Sequence, residues 1–344
     1  MYSFCTYFDR NYLTRGLALY TSLVQHCKQP FRLWVLCFDD ETYDILSRLA
    51  LPNVCLISYQ EFEATNARLL QVKGERTLVE YYWTCTPVLP LYILEQNSQV
   101  DLITYLDADL YFFSDPQPIY DEFGNGSILI IEHRFPPGMG YLEVNGIFNV
   151  GWISFRRDAA GLSALSWWAE RCIEWCYARH ELGKFGDQKY LDDWTTRFPD
   201  VVVLQHKGAG LAPWNITGYS IVKRDVQLWV DNEKLIFYHF HGMKQSSSWL
   251  YQPVSGGYQI AANHKRWLYE PYIVALNQAT WKIKRVMRNF QTPTYNLPFS
   301  KLRAVMEKKF DVIGGTNYLP VLRQVYATIQ AWYRKVRYRR FAQH

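Results

Sequence analysis

Leu102-Ile103-Thr104-Tyr105-Leu106-Asp107-Ala108-Asp109 is the stretch on which the fold turns. Its apolar and β-forming residues predict a buried strand over 102–106. Two carboxylates, two residues apart, follow at the strand exit. Where the chain leaves strand geometry both can turn toward one point, and a divalent cation is the natural partner of adjacent carboxylates that otherwise repel. Asp-x-Asp alone is common in loops. The strand before it, and the sheet edge that strand implies, favour metal.

Upstream, strands are predicted over 2–8, 31–38 and 54–58. Helical spacing spans 11–26, with Leu13, Leu17, Tyr20 and Val24 on one face. Asp39-Asp40-Glu41 suits a helix N-terminus, and 77–96 reads as a helix that Pro87 and Pro90 should kink or break. Such alternation implies parallel strands joined by crossover helices, an α/β fold. Ligands in these sheets bind outside the carboxyl ends of the strands, which singles out Phe8–Tyr12 and Asp107–Asp109. Downstream, strands are predicted over 127–131, 147–155, 201–204 and 235–240, with a helix over 159–181 and a short one from Gly186. After Gly256-Gly257 the pattern turns helical, with breaks at Pro271, Pro293, Pro298 and Gly314-Gly315. The expected division is a domain over 1–255 and a helical, basic and aromatic extension over 256–344.

The composition, 49% hydrophobic and 20% charged over 344 residues, is globular and excludes a disordered chain, collagen or a coiled-coil rod. Aromatic residues at 17% suit a large core and also sugar-stacking platforms. No apolar run approaches the roughly 18–20 residues that cross a bilayer. Met1–Cys5 lacks the basic start and long apolar stretch of a secretory signal, so the expected location is cytoplasmic. Seven scattered cysteines read as buried free thiols; Cys172 and Cys176 could meet on one helix face, but no second Cys/His pair lies at zinc-ligand spacing.

Charge is asymmetric. Residues 280–344 hold 14 Lys and Arg against 2 Asp and Glu, while the first 279 hold 23 and 30. An acidic body argues against a general nucleic-acid binder, and no nucleic-acid partner is expected. Ala327 to Phe341, ATIQAWYRKVRYRRF, reads as a helix able to lie on an anionic membrane surface, aromatic groups at headgroup level and cations on phosphates. The rival is a helix packed on the domain with a solvated basic face. Attachment through this helix would make the protein peripheral on the cytoplasmic side.

Three further stretches carry chemistry. In Ile236–Lys244, His239 and His241 alternate along a strand that ends at Gly242 and Lys244. A neutral imidazole can complete a metal site begun by two carboxylates, and the glycine and lysine suit a phosphate. The alternative is a strand with one packed and one exposed histidine. In Gly146–Trp152, Asn149 sits between apolar strand residues and needs a hydrogen-bond partner. Gly186-Asp187-Gln188 is either a helix cap or a set of sugar-hydroxyl contacts.

Taken together, Asp9-Arg10-Asn11-Tyr12, Asp107-Ala108-Asp109, Phe148-Asn149-Val150-Gly151, Asp187-Gln188 and His239-Phe240-His241-Gly242 resemble, in this order, the motifs of glycosyltransferase family 8. That family includes glycogenin and bacterial lipopolysaccharide galactosyl- and glucosyltransferases, and the resemblance covers roughly residues 2–250. It implies a GT-A fold, with a mostly parallel nucleotide-binding sheet flanked by helices. It also implies a Mn²⁺ or Mg²⁺ ion, a nucleotide-sugar donor (a UDP-sugar first) and retention at the anomeric carbon. By motif position, Asp107, Asp109 and His239 would be metal ligands, Asp107 also touching the donor. Thr6, Asp9, Asn11 and Tyr12 would contact base and ribose. Asn149, Asp187 and Gln188 would face the donor sugar as the catalytic set, and Gly242 and Lys244 the diphosphate. The acceptor would be a glycan, glycolipid or protein hydroxyl, with lipopolysaccharide or surface polysaccharide synthesis as the setting.

Two features depart from the family. Its basic donor contact before Asp-x-Asp is missing from Trp83–Pro87, leaving Lys73 or Arg76 as substitutes, and its closing Lys-Pro-Trp is absent after Lys244. The rivals are a sugar-phosphate nucleotidylyltransferase and a catalytically silent nucleotide-sugar-binding protein. Phe8–Tyr12 lacks the glycine of a nucleotidylyltransferase loop, and an intact Asp pair with His239 argues against decay.

Overall fold

The computed structural model describes residues 1–247, 250–254, 257–295 and 313–314. The first half runs β1 (Tyr2–Phe8), α1 (Leu13–His26), β2 (Phe31–Cys37), α2 (Asp40–Leu49) and β3 (Val54–Ser58). It continues through α3 (Tyr59–Ala64), α4 (Ala67–Lys73), α5 (Leu78–Gln96), β4 (Leu102–Leu106), β5 (Leu110–Phe112), α6 (Gln117–Phe123) and β6 (Ile128–Glu132). Then follow β7 (Phe148–Arg156), α7 (Ala159–Glu174), α8 (Trp194–Arg197) and β8 (Val201–Val203). Short strands complete the body: β9 (Ile221–Arg224), β10 (Gln227–Val230), β11 (Glu233–Lys234), β12 (Phe237–His239), β13 (Lys244–Ser247) and β14 (Leu250–Gln252). α9 (Ala262–His264), α10 (Glu270–Val286) and β15 (Ile313–Gly314) come last.

The fold is the expected α/β arrangement, a mostly parallel sheet flanked by helices. Seven strands form the central sheet in the order β3-β2-β1-β4-β7-β6-β8. β3, β2, β1 and β4 are parallel, and β7 runs against both neighbours. β1 and β4 lie side by side, with Phe4 opposite Thr104, so the segments after them leave the sheet at one edge. Because β7 is reversed, its beginning, around Asn149, reaches that same edge.

Side-chain alternation along the strands divides the core into two layers. Cys5, Ile103, Tyr105, Ile153 and Phe155 pack toward residues of α5 and α7. Phe4, Phe8, Leu106 and Trp152 pack toward residues of α1 and α10. Ala279 and Ile283 of α10, together with Phe290, share that second cluster with Leu13 and Leu17, so α10 packs into the same core as β1. All seven cysteines are free, Cys172 and Cys176 among the buried ones.

Three local expectations are corrected. α5 runs unbroken through Pro87 and Pro90. An interior proline costs about 3 kcal/mol, but α5 is anchored by a Thr77–Glu80 capping box and buries Cys85, Val88, Leu89 and Ile93. Pro271 does not break the helix either. It falls in the first turn of α10, directly after a π-turn at Lys265–Tyr269. α7 stops at Glu174, not 181, because Trp175 turns extended while its N–H still closes on Arg171 O. The amphipathic stretch 327–341 lies outside the described residues. Among the described residues no helix is long and apolar enough to cross a membrane.

Candidate functional site

Strand pairing builds the centre of the site. β12 pairs antiparallel with β5, His239 opposite Leu110, and Phe240 N–H donates to Asp109 O at 3.0 Å. This brings His239 Nε2 to 3.1 Å from Asp109 Oδ1 and 3.5 Å from Asp107 Oδ2. One ligand atom from each residue lies within 4.8 Å of the others. Asp109 and His239 are buried, and Asp107 is partly exposed. The Tyr105 hydroxyl donates to Asp107 Oδ1 at 2.9 Å.

The electrostatics match the geometry. Burial, with Asp109 adding to it, pushes the Asp107 carboxyl above its usual range. Burial acts on Asp109 in the same sense, but His239 outweighs it and holds that carboxyl down. Burial opposes the His239 proton, and the two carboxylates overcome it and raise the imidazole. Two like charges and an imidazole withdrawn from water need shared positive charge. Hard carboxylates with one borderline nitrogen fit a Mn²⁺- or Mg²⁺-type ion.

A cavity of about 340 Å³ opens beside Asp107 and His239. That volume suits a ligand pocket of small size. Asn149, Asp187 and Gln188 line it. Asp187 is 3% exposed, its Oδ2 has no hydrogen-bond partner, and its backbone oxygen accepts from Trp168 Nε1 at 2.9 Å. Burial, reinforced by Asp107, pushes its carboxyl up to about 7. Gln188 Nε2 donates to Asn145 O at 2.9 Å, leaving the amide oxygen of Gln188 as its acceptor. Asn149 Oδ1 accepts from Gly151 N–H at 2.8 Å, and its Nδ2 lies 3.4 Å from His133 Nε2.

His133 is a site residue that sequence reasoning missed. It leaves β6 as Asp107 leaves β4, so the strand-exit rule applied to 127–131 would have pointed to it. Burial lowers its imidazole to about 4, leaving it neutral, and the ring stacks on Phe135 with centroids 4.9 Å apart. Trp214 was also missed. Its Nε1 donates to His133 O at 3.0 Å, and its ring meets His239 edge-on at 5.2 Å.

The β1 side is arranged differently from the expectation. Thr6 is fully buried on the face of β1 shared with Phe4 and Phe8; its neighbour Tyr7 lines the cavity instead. The strand period of two places these neighbours on opposite faces. Asp9 accepts from Asn11 N (2.9 Å), Asn11 Nδ2 (3.0 Å) and Tyr82 Oη (3.1 Å), so it shapes the loop. Asn11 and Tyr12 are exposed beside it. Gly242 turns the chain after β12 at φ +71°, the left-handed region that favours glycine. Lys244 begins β13 with its ammonium 5.2 Å from the Tyr295 ring centroid. Asp9, Asn11, Tyr12, Gly242 and Lys244 all lie outside the cavity lining. Neither substitute for the missing basic residue reaches the cavity. Lys73 pairs with Glu63 at 2.6 Å, and the Arg76 guanidinium donates to Thr84 Oγ1 and Ile173 O. Trp83 and Thr86 line the cavity in that place.

Fold and site thus define an α/β protein with a carboxylate–carboxylate–imidazole cluster at the exits of its sheet, beside a sugar-sized cavity. The chain belongs to the family of two Bacillus subtilis (strain 168) proteins described as uncharacterized, YfnD and YfnF. It is 30% identical to YfnD over 297 residues, 84% of this chain and 93% of YfnD. It is 33% identical to YfnF over 250 residues, 70% of this chain and 82% of YfnF. No protein-family model matches. Similar solved structures include the galactosyltransferase LgtC with donor and acceptor sugar analogs, at 15% identity and TM-score 0.46, covering 80% of this chain and 95% of that one. The apo glycosyltransferase GlyE of Streptococcus pneumoniae TIGR4 has 15% identity and TM-score 0.48, covering 82% and 63%. Mouse xyloside xylosyltransferase 1 has 16% identity and TM-score 0.44, covering 70% and 97%. At such scores these likenesses assign no role to any residue here.

Proposed function

We propose that this chain is a metal-dependent, retaining glycosyltransferase that moves a hexose from a nucleoside-diphosphate sugar to a hydroxyl acceptor, a glycan or glycolipid. The observation that carries this is the Asp107–Asp109–His239 cluster at the side of a cavity that also holds Asp187, whose buried Oδ2 has no hydrogen-bond partner. A divalent ion held by that cluster would supply Lewis-acid stabilisation of a departing diphosphate.

The chain's own residues divide the remaining work. Among the described residues no Lys or Arg lines the cavity, where Asp107 and Asp187 already stand. That environment suits a neutral sugar. Asp187 Oδ2 accepts from a sugar hydroxyl, ending its burial without a partner. Gln188, anchored through its amide nitrogen, and Asn149, anchored at both ends of its amide, orient the ring. Trp214 and Phe135 offer aromatic faces for the apolar face of a pyranose. Lys244, outside the cavity, supports the diphosphate. An acceptor hydroxyl then attacks on the face the leaving group vacates, and its proton passes to the leaving phosphate. A two-step route through Asp187 uses the same residues.

The test is a panel of nucleoside-diphosphate sugars titrated with and without Mn²⁺, followed by diphosphate release from the best binder. Metal-dependent binding and slow release are expected. Binding without release from any donor, with or without glycan acceptors, would leave a silent binding protein; metal-independent binding would remove the assigned centre.

A further inference from the structure

Arg15 belongs to none of the sequence motifs. It sits in the first turn of α1, half-buried, and joins two loops far apart in the chain. Its Nη2 donates to Met243 O at 2.9 Å, the carbonyl immediately before Lys244. Its Nη1 donates to Asn11 O at 3.4 Å, and its guanidinium carbon lies 4.3 Å from the Tyr12 ring centroid. Two backbone carbonyls leave the positive charge uncompensated, and among the described residues no carboxylate forms an ion pair with it. Asp109 acts on it at longer range, as do Tyr12 and Tyr295. Lys244 is in the same position: among the described residues its ammonium has an aromatic ring and no carboxylate for a partner. Among the described residues no Lys or Arg lines the cavity beside the cluster. Among the described residues, Arg15 and Lys244 thus bring uncompensated positive charge to the loops at Tyr12 and Met243, outside the cavity lining.

We propose that Arg15 is a second cation of the diphosphate subsite and the residue that positions Lys244 within it, an inference that rests on the glycosyltransferase reading above. A planar guanidinium can keep its bond to Met243 O while offering its remaining N–H groups to phosphate oxygens, which a lysine ammonium in the same place cannot do in the same geometry. The Tyr12 ring lies under the guanidinium, its centroid 4.3 Å from the guanidinium carbon.

The experiment titrates UDP, CDP, GDP and ADP in Mn²⁺ into wild type, Arg15→Gln, Arg15→Lys and Asp109→Asn, with melting curves for folding and Mn²⁺ binding followed by electron paramagnetic resonance. For whichever diphosphate wild type binds best, Arg15→Gln should weaken affinity about tenfold or more, the loss of one charge-assisted contact. Arg15→Lys should recover part of it, and Mn²⁺ binding without nucleotide should stay near wild type. Arg15→Gln within twofold of wild type would overturn the inference while a dead Asp109→Asn left the metal centre standing. A parallel fall of Mn²⁺ binding in both Arg15 variants would make Arg15 a scaffold residue and also overturn it. Should Arg15→Gln not fold, Arg15→Lys decides: affinity equal to wild type sinks the positioning role. A wild type that bound none of the four diphosphates would remove the site reading and this inference together.

Discussion

The imidazole of His239 occupies the space a side chain on Gly151 would need. A Cβ there would lie 2.9 Å from His239 Nδ1, 3.0 Å from its Cε1 and 2.7 Å from Asn149 Oδ1. Trp214 meets the same imidazole edge-on, and Gly151 O receives the Asp107 N–H at 3.0 Å. The glycine after Phe148-Asn149-Val150 is thus a packing requirement of the Asp107–Asp109–His239 cluster. Gly151→Ala should fold, losing about 1–3 kcal/mol to overpacking. It should also lose about tenfold or more in Mn²⁺ affinity, since second-contact residues commonly carry that much. Mn²⁺ titration beside urea unfolding checks both; unchanged Mn²⁺ affinity would contradict the packing account.

Asp109 is the more deeply buried of the two carboxylates and the closer to His239. Asp109→Asn should abolish divalent-dependent nucleotide binding and leave a folded protein. Calorimetry with UDP and Mn²⁺ reads this directly. A variant that bound both like wild type would show the cluster to be misassigned.

Asp187 should make stability depend on pH. Its carboxyl, pushed up to about 7, keeps its proton in the folded chain where the unfolded chain, near 3.9, has lost it. Folding therefore binds a proton between about pH 4 and 7, and stability falls as pH rises through that window. The full shift corresponds to a loss on the order of 4 kcal/mol. Asp187→Asn should match wild type near pH 4 and exceed it at pH 8, in urea unfolding without divalent ions. Parallel curves for the two proteins would refute the burial account.

Retention at the anomeric carbon is expected from the motif resemblance. With an α-linked donor, NMR of the product should show an α-linkage. A β-linked product would remove the same-face attack described above.

The basic segment at the end of the chain should hold the protein on anionic bilayers. Each cation near such a surface contributes about 1 kcal/mol, so Arg334, Lys335, Arg337 and Arg339 together suffice for reversible attachment. Co-sedimentation with phosphatidylserine vesicles at low salt should be lost on deleting residues 318–344. Equal sedimentation of both forms, or of neither, would dismiss the anchor.

Local chemistry in the chain determined the strands, the cap and the chemical types at the site. β3 and β4 begin and end where apolar, β-branched runs do, and Thr77 caps α5 because its hydroxyl and Glu80 satisfy free N–H groups within a few residues. Asp107 and Asp109 were legible at a strand exit, His239 and Asn149 as polar residues in apolar strands, and Asp187 as a helix cap or sugar contact. Tertiary structure decided what those short-range preferences leave open. A period of two says that Thr6 and Tyr7 point oppositely, but only the stacking of layers on β1 turns Tyr7 toward the cavity. Propensity condemns Pro87 and Pro90 in a helix, and burial against the core offsets them. The β5–β12 pairing that sets His239 against Asp109, the exit of β6 that delivers His133, and the bond from Arg15 to Met243 O all join residues distant in sequence. No local preference encodes such contacts, because their free energy exists only once the whole sheet has closed and water has left the space between them.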